Sequence, residues 1–349
     1  MSVAAQRSDI WAVLQRYPPE LQPQANQPQS CQGLGGAGGF SGAQFWKVLT
    51  LAGTGCLRCW PAEHPTPDRL LFIHAVLQHI QASGCAVCAV PYKTITGETF
   101  VTHHGRLWEL APWMPGKADF AEHPSPAKLT AAMHTLAEVH LAMATFPAIS
   151  SVPQTSLGVR ARLAQLQHWL NSGLPKLQAS LRAEVFPELL PLAVEVLERF
   201  RAVAPRLLTD LQQAMHRQAV LQPCLRDIWH VHLLFTAGRV TGLIDFGALH
   251  YDHITTDIAR LLGSMAGDDA AVWTSGLAAY QTLRPLTSDE LAQIHVFDAS
   301  GTALGALNWL QWIYLDGRTF ESMADVQPRL VRLLSRLNTL AQGSSSWSC

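Results

Sequence analysis

Pro223-Cys-Leu-Arg-Asp-Ile-Trp-His-Val-His-Leu-Leu-Phe-Thr-Ala-Gly-Arg-Val-Thr-Gly-Leu-Ile-Asp-Phe-Gly247 is the stretch on which the reading of this chain turns. Two apolar runs flank Thr236-Ala237-Gly238-Arg239, so a hairpin is expected. A four-residue turn places Phe235 opposite Val240. Counting back sets His232 opposite Leu243 and His230 opposite Asp245. His230, His232, Leu243 and Asp245 then share one face of the ribbon. Asp227 lies in the loop that feeds the first strand. The reading therefore gathers two carboxylates and two imidazoles in one small region.

Those residue types at those places have a use. A carboxylate at a strand end, before Phe246-Gly247, can hold Mg²⁺ against nucleotide phosphates, because Mg²⁺ takes one or two carboxylates plus substrate oxygens. An Asp in the preceding loop can orient and deprotonate an attacking hydroxyl. An Asp beside Leu243-Ile244 is costly unless it is used.

Outward from the hairpin, the chain is strand-rich before about residue 111 and mostly helical after it. Helices are expected over Ser8–Tyr17, Asp68–Ser83, Ser125–Ala144, Arg160–Gly173, Leu177–Phe200, Asp257–Met265, Ala270–Leu283, Glu290–Leu315 and Pro328–Leu340. Strands are expected over Phe45–Thr50, Cys56–Trp60, Val87–Tyr92, Thr99–His103 and Leu107–Leu110. The Pro/Gln-rich residues 22–29 read as a linker, the glycine cluster Gly33–Gly42 follows it, with Gly33–Gly36 open to being a flexible linker end, and Pro112, Pro115 and Gly116 read as a break between lobes. The division expected is 1–32 for an N-terminal helix and linker, 33–111 for an N-lobe, 112–342 for a C-lobe and 343–349 for a tail.

The stretch resembles the catalytic and metal-binding segment of the aminoglycoside phosphotransferase and choline kinase-like superfamily. The resemblance rests on Asp227, the hairpin, Ile244-Asp245-Phe246-Gly247, and Asp257-Ile258-Ala259-Arg260, which is similar to the Asp-Leu-Ala that opens the family's next helix. It is specific over Leu225–Leu262 and extends in element order from about Gly38 to Leu340. It implies an α+β, bilobal protein-kinase-like fold with a strand-rich N-lobe and a mostly helical C-lobe. It also implies transfer of the γ-phosphate of ATP (or GTP) to a hydroxyl of a small molecule, with Asp227 as base and Asp245 as metal ligand. Two positions depart from the family pattern. Leu225-Arg226 stands where the family has His-Gly, and His232 stands where it has a metal-binding Asn. Imidazole shifts preference from Mg²⁺ toward Mn²⁺ or Zn²⁺ if it is a ligand; it can instead act by hydrogen bonding alone. The alternative to an active enzyme is a silent kinase fold that binds a nucleotide or a partner.

The resemblance also assigns the nucleotide end. Ser41 and Gly42, just before a strand, would close over phosphates with backbone N–H groups. Arg58 sits where the family carries its phosphate-binding cation, with Lys47 as rival, and no helix Glu stands ready to hold it; His74 is the nearest polar helix residue. Backbone groups from Glu109 to Ala111, before Pro112, would meet the base. Asp257 would cap its helix or brace the loop of Asp227, while Asp252 and His253 could touch substrate.

Composition bounds the rest. With 48% hydrophobic and 15% charged residues, the chain can bury a large core. A net charge of −1, without a basic block, disfavours nucleic acid as partner. No run of about 18 apolar residues occurs and no leader is visible, so a cytoplasmic protein without a membrane partner is expected. The seven cysteines include Cys56-x-x-Cys59 and Cys85-x-x-Cys88. Strand alternation sends the first pair to opposite faces, so buried thiols are favoured over a zinc site.

Overall fold

The computed structural model describes residues 3–23, 30–35, 42–148, 150–182, 186–318 and 323–343. The chain divides into two compact units: Met1–His123 with Val231–Ala248, and Pro124–His230 with Leu249–Cys349. The hairpin therefore belongs to the strand-rich unit, although it is embedded in the helical stretch of sequence.

The first unit is built on an antiparallel sheet of order β1-β2-β3-β5-β4, with β1 Cys31–Gly35, β2 Gln44–Thr50, β3 Gly53–Cys59, β4 Val101–His103 and β5 Arg106–Pro112. Period-2 alternation puts Trp46 and Val48 of β2, Leu57 and Cys59 of β3, and Trp108 and Leu110 of β5 into one buried cluster. Against them lies helix α1 (Val3–Leu14), which starts earlier than expected. Its Ile10, Val13 and Leu14, with Tyr17 beyond its end, recur at i, i+3, i+4, i+7, and this apolar stripe seats it in the core. The first part of the glycine cluster is strand rather than linker. β1 pairs with β2 through a bulge between Gly33 and Gly35.

Helix α2 (Pro67–Ala82) follows, with the Thr66 hydroxyl accepting from the Arg69 N–H. The expected strand at Val87–Tyr92 is an extended segment instead. Its Val87 carbonyl accepts from the Leu243 N–H at 2.7 Å, and its Ala89 N–H donates to the Leu243 carbonyl at 3.2 Å. The segment thus ties the hairpin Leu233–Thr236/Arg239–Leu243 into this unit.

The second unit is helical: α3 Pro126–Ala144, α4 Leu157–His168, α5 Leu174–Ser180, α6 Leu190–Ala214, α7 Thr255–Ala266, α8 Ala270–Gln281, α9 Ser288–Tyr314 and α10 Met323–Ala341. The single helix expected over Leu177–Phe200 is broken between α5 and α6. Phe186 adopts a left-handed φ of 51° before Pro187, a residue pair that resists helical continuation. Between α4 and α5 a π-turn spans Trp169–Gly173. A Cβ on Gly173 would stand 2.3 Å from the Trp169 ring, so glycine lets the indole fold back. A capping box of Thr287 and Glu290 starts α9. Short pairings join Gln222–Cys224 to His250–Asp252, which positions the loop containing Asp227.

Candidate active site

The hairpin register begins as expected, Phe235 opposite Val240, and then slips. A bulge between Val240 and Gly242 pairs Leu234 with Gly242 and Leu233 with Leu243, so His232 does not face Leu243. The cause is local. The Thr241 hydroxyl donates to the Pro115 carbonyl at 2.8 Å, and a Cβ on Gly242 would stand 2.7 Å from Met114 Cβ. His230–His232 forms a 3-10 turn rather than strand. His230 belongs to the second unit, where its N–H donates to Ser264 Oγ at 3.0 Å; it is not opposite Asp245. His232 reaches Asp245 by another route. Its carbonyl accepts from the Ile244 N–H, and its Nε2 lies 3.8 Å from Asp245 Oδ2.

In the first unit the structure assembles Arg58, Glu109, His74, Asp245 and His232. Arg58 is almost buried, on β3 opposite Glu109 of β5. Its Nη1 stands 4.0 Å from Glu109 Oε1 and its Nη2 3.6 Å from Asp245 Oδ1. The guanidinium lies 3.3 Å from the Trp60 ring centroid. Gly247 leaves room for that indole, since a Cβ there would sit 3.2 Å from Trp60 Cη2. The carboxylate that the sequence did not locate on the helix is thus Glu109, supplied by a strand. His74 of α2 holds Glu109 rather than Arg58: Nε2–H donates to Oε2 at 2.8 Å, and Nδ1 lies 2.7 Å from Thr99 Oγ1. Burial pushes the Glu109 carboxyl up. The hydrogen bond and charge of His74, with the charge of Arg58, more than offset this and hold it below the ordinary carboxylate value.

The backbone of Glu109–Ala111, expected to meet the base, is engaged within the protein. Glu109 and Ala111 are in register with Arg58 and Cys56 of β3. The Leu110 N–H donates to the Tyr17 hydroxyl, and the Leu110 carbonyl accepts from the Tyr92 N–H. Lys47, the rival cation, lies 4.9 Å over the Trp113 ring, apart from this cluster. Gly42 takes a left-handed φ of 74° ahead of β2; Ser41 lies outside the described residues. Cys56 and Cys59 are free thiols that burial pushes up to about 11.

In the second unit Asp227 is held through Oδ1 by three donors. Oδ1 accepts from Arg260 Nη2 at 2.8 Å, Arg260 Nε at 3.2 Å and Trp229 Nε1 at 2.8 Å, and Arg260 stacks 3.8 Å from the Trp229 centroid. The loop itself hangs on Asp257, which is wholly buried. Its Oδ2 and Oδ1 accept the Leu225 and Arg226 N–H groups at 2.6 Å each. His140 Nε2 lies 3.1 Å from Oδ2, and His140 Nδ1 lies 2.8 Å from Tyr280 Oη. Asp257 makes no cap for α7, so of its two expected roles the brace is the one observed. Asp252, expected to touch substrate, is also wholly buried: Ser156 Oγ and the His253 N–H donate to its Oδ1, and Arg226 Nε stands 3.3 Å from its Oδ2.

Two non-glycine residues of these clusters, Arg226 and Asp245, hold a φ of 64°. Left-handed backbone at such residues is strained, and strain of this kind concentrates at functional sites. Sequence reasoning missed Arg260, Trp229 and Trp60. A signal for Arg260 existed: it follows Asp257 at i+3, which puts both on one face of α7.

The phosphotransferase enzyme family (APH) matches residues 35–293. The chain belongs to this family. It is similar to the homoserine kinase of Methylobacillus glycogenes, 24% identical over 258 residues, or 72% of each chain. Solved APH-like structures share its fold. An amicoumacin kinase, solved with AMP-PNP and Ca²⁺, superposes with a TM-score of 0.67 at 15% identity, covering 99% of this chain and 95% of its own. A microcompartment-associated aminopropanol kinase gives 0.61 at 15% identity over 99% of each. The GDP complex of an aminoglycoside 2'-phosphotransferase gives 0.58 at 16% identity over 98% of this chain and 99% of its own. This APH member is accordingly a small-molecule kinase with the kinase-like α+β fold. Among its described residues no helix is long and apolar enough to cross a membrane.

Proposed function

We propose that the protein moves the γ-phosphoryl group of ATP or GTP to a hydroxyl of a small molecule, with Asp227 as general base and Asp245 as ligand to a divalent cation. The observation that carries the reading is Arg58, held between buried Glu109 and half-exposed Asp245. A guanidinium backed by an internal carboxylate has a partner when no phosphate is present, and its fork suits phosphate oxygens. Gly42 and Ser41 would add backbone N–H groups to the same phosphates.

The residues present fit a divalent ion. Asp245 exposes half of its carboxylate, His232 turns Nε2 toward it, and His232 Nδ1 is buried without a hydrogen-bond partner. One carboxylate and one imidazole suit Mg²⁺ through oxygen, with the nitrogen moving preference toward Mn²⁺. Such an ion, when bound, neutralises charge on the phosphates. Asp227 accepts the proton of the attacking hydroxyl, while Arg260 and Trp229 fix the orientation of its carboxylate. The loop keeps its shape because Asp257 takes two of its N–H groups.

The test is a screen of alcohols, hydroxy acids and amino sugars with radiolabelled ATP, using the wild type and Asp227→Asn. Transfer by the wild type that falls by about 10² or more in the variant supports the reading. Nucleotide binding without transfer to any acceptor would make the protein a silent kinase fold.

A further inference from the structure

Arg162 is the cation that this chemistry leaves unused. It lies on α4, half-buried, with its guanidinium 4.4 Å from the Phe297 ring centroid. Its one hydrogen bond is long, Nη1 to the Gly158 carbonyl at 3.4 Å, and it makes no ion pair among the described residues. A guanidinium carries five donors, and most of this one's are not taken up by hydrogen bonds within the protein. Its surroundings disfavour the charge. Burial, then the charge of Arg260, lowers its pKa to about 10; Asp252 offsets this in part and Arg226 adds to it.

Asp252 takes its hydrogen bonds from Ser156 and the His253 N–H at Oδ1 and faces Arg226 through Oδ2, and it forms no ion pair with Arg162. Yet the groups are packed tightly. A Cβ on Gly158 would stand 2.8 Å from Asp252 Oδ2 and 3.0 Å from Arg162 Nη1, so only glycine admits both at the start of α4. Three guanidiniums, those of Arg162, Arg226 and Arg260, thus share a neighbourhood with two carboxylates, Asp227 and Asp252. A polycationic amino sugar would meet repulsion there. A carboxylate would supply planar, bidentate acceptors for a guanidinium fork.

We propose that the phosphate acceptor is an alcohol bearing a carboxylate, a hydroxy acid or hydroxy amino acid, and that Arg162 with Arg226 binds that carboxylate. The inference rests on the phosphotransfer reading for the fate of the hydroxyl. There the hydroxyl oxygen bonds to the γ-phosphorus, the bond from that phosphorus to the β,γ-bridging oxygen breaks, the nucleoside diphosphate leaves, and the hydroxyl proton goes to Asp227. The binding claim stands apart from that step.

The test uses acceptor pairs that differ by one carboxylate: L-homoserine against 3-amino-1-propanol, L-serine against ethanolamine, and D-glycerate against ethylene glycol. Affinity for the full chain is measured by calorimetry, and phosphorylation is followed as ADP release. At least one acid should bind roughly tenfold or more tightly than its partner. Arg162→Gln should erase that preference by a roughly 10- to 100-fold loss for the acid alone, with nucleotide affinity unchanged, and Arg162→Lys should keep part of it. The wild-type pairs need no variant, so a misfolded mutant does not spoil the experiment. Acids that bind no better than their partners overturn the proposal. So does an Arg162→Gln loss that falls on the nucleotide, which would assign the site to nucleotide phosphate. Acid binding without ADP release breaks the phosphotransfer reading and leaves this one standing. Phosphorylation of amines alone does the reverse.

Discussion

Arg58 and Arg260 form a natural comparison, one in each unit. Each guanidinium lies on an indole, Trp60 or Trp229, and each faces an Asp whose side chain is 48% exposed. The allocation of bonds differs. Arg260 spends two donors on Asp227 at 2.8 and 3.2 Å. Arg58 stands back from Asp245 at 3.6 Å and is backed by Glu109, which His74 in turn holds. One arrangement fixes a carboxylate. The other keeps both a cation and a carboxylate available. A base needs a set orientation, whereas groups that meet phosphates and a metal ion need vacant coordination, so under the proposed function the same parts would serve different chemistry.

The comparison breaks most visibly at the two aspartates. Asp227→Asn should cut turnover by about 10² or more and leave nucleotide affinity nearly intact. Asp245→Ala should instead abolish metal-dependent nucleotide binding, read by calorimetry with and without Mg²⁺. Equal effects from both would mean that the two carboxylates are not specialised. The arginines sharpen the contrast at about tenfold each: Arg58→Gln should raise the nucleotide KM, and Arg260→Gln should lower kcat with that KM unchanged. A smaller effect is expected at His232. His232→Asn should lower the ratio of Mn²⁺- to Mg²⁺-supported activity; an unchanged ratio means that the imidazole is not a ligand.

Acid should separate the units as well. Burial, with the charge of Arg206, lowers His295 on α9 to about 4. Its folded value lies below its unfolded one, so it contributes stability that is fully present above about pH 6.5 and is lost as pH falls toward 4. Burial lowers His253 in the same direction. Glu109 is also depressed, but from the carboxylate range, so its contribution in the first unit persists until pH falls through that lower value. Hydrogen exchange at pH 5 and pH 7 should therefore show α9 losing protection before β3 and β5 do. His295→Gln should weaken the loss in α9.

Several elements were legible because their signals are local. Helices α2, α3, α8 and α9 were read to within about two residues from apolar spacing and caps, and the hairpin from its turn. Asp227 and Asp245 could be singled out because a carboxylate at a strand end or loop has few inexpensive structural uses, whereas Arg58 and His232 were marked by the family resemblance. Other features depend on distant partners and leave no local trace. The bulge that takes His232 out of register follows from Thr241 meeting the Pro115 carbonyl. Strand β1 forms in a glycine-rich stretch because β2 lies beside it. The counter-ion of Arg58 was sought on a helix and found at Glu109, because only sheet pairing sets those residues opposite each other.

The chain's order of apolar and polar residues therefore determined which elements form and which residues can do chemistry, since both are consequences of spacing along the backbone. Tertiary structure alone decided which oxygen meets which guanidinium, that His74 holds Glu109, and that Arg162 is left without a carboxylate. Those outcomes are set by distances of a few ångströms between residues far apart in sequence, and hydrogen bonds and ion pairs are sensitive to separation on that scale.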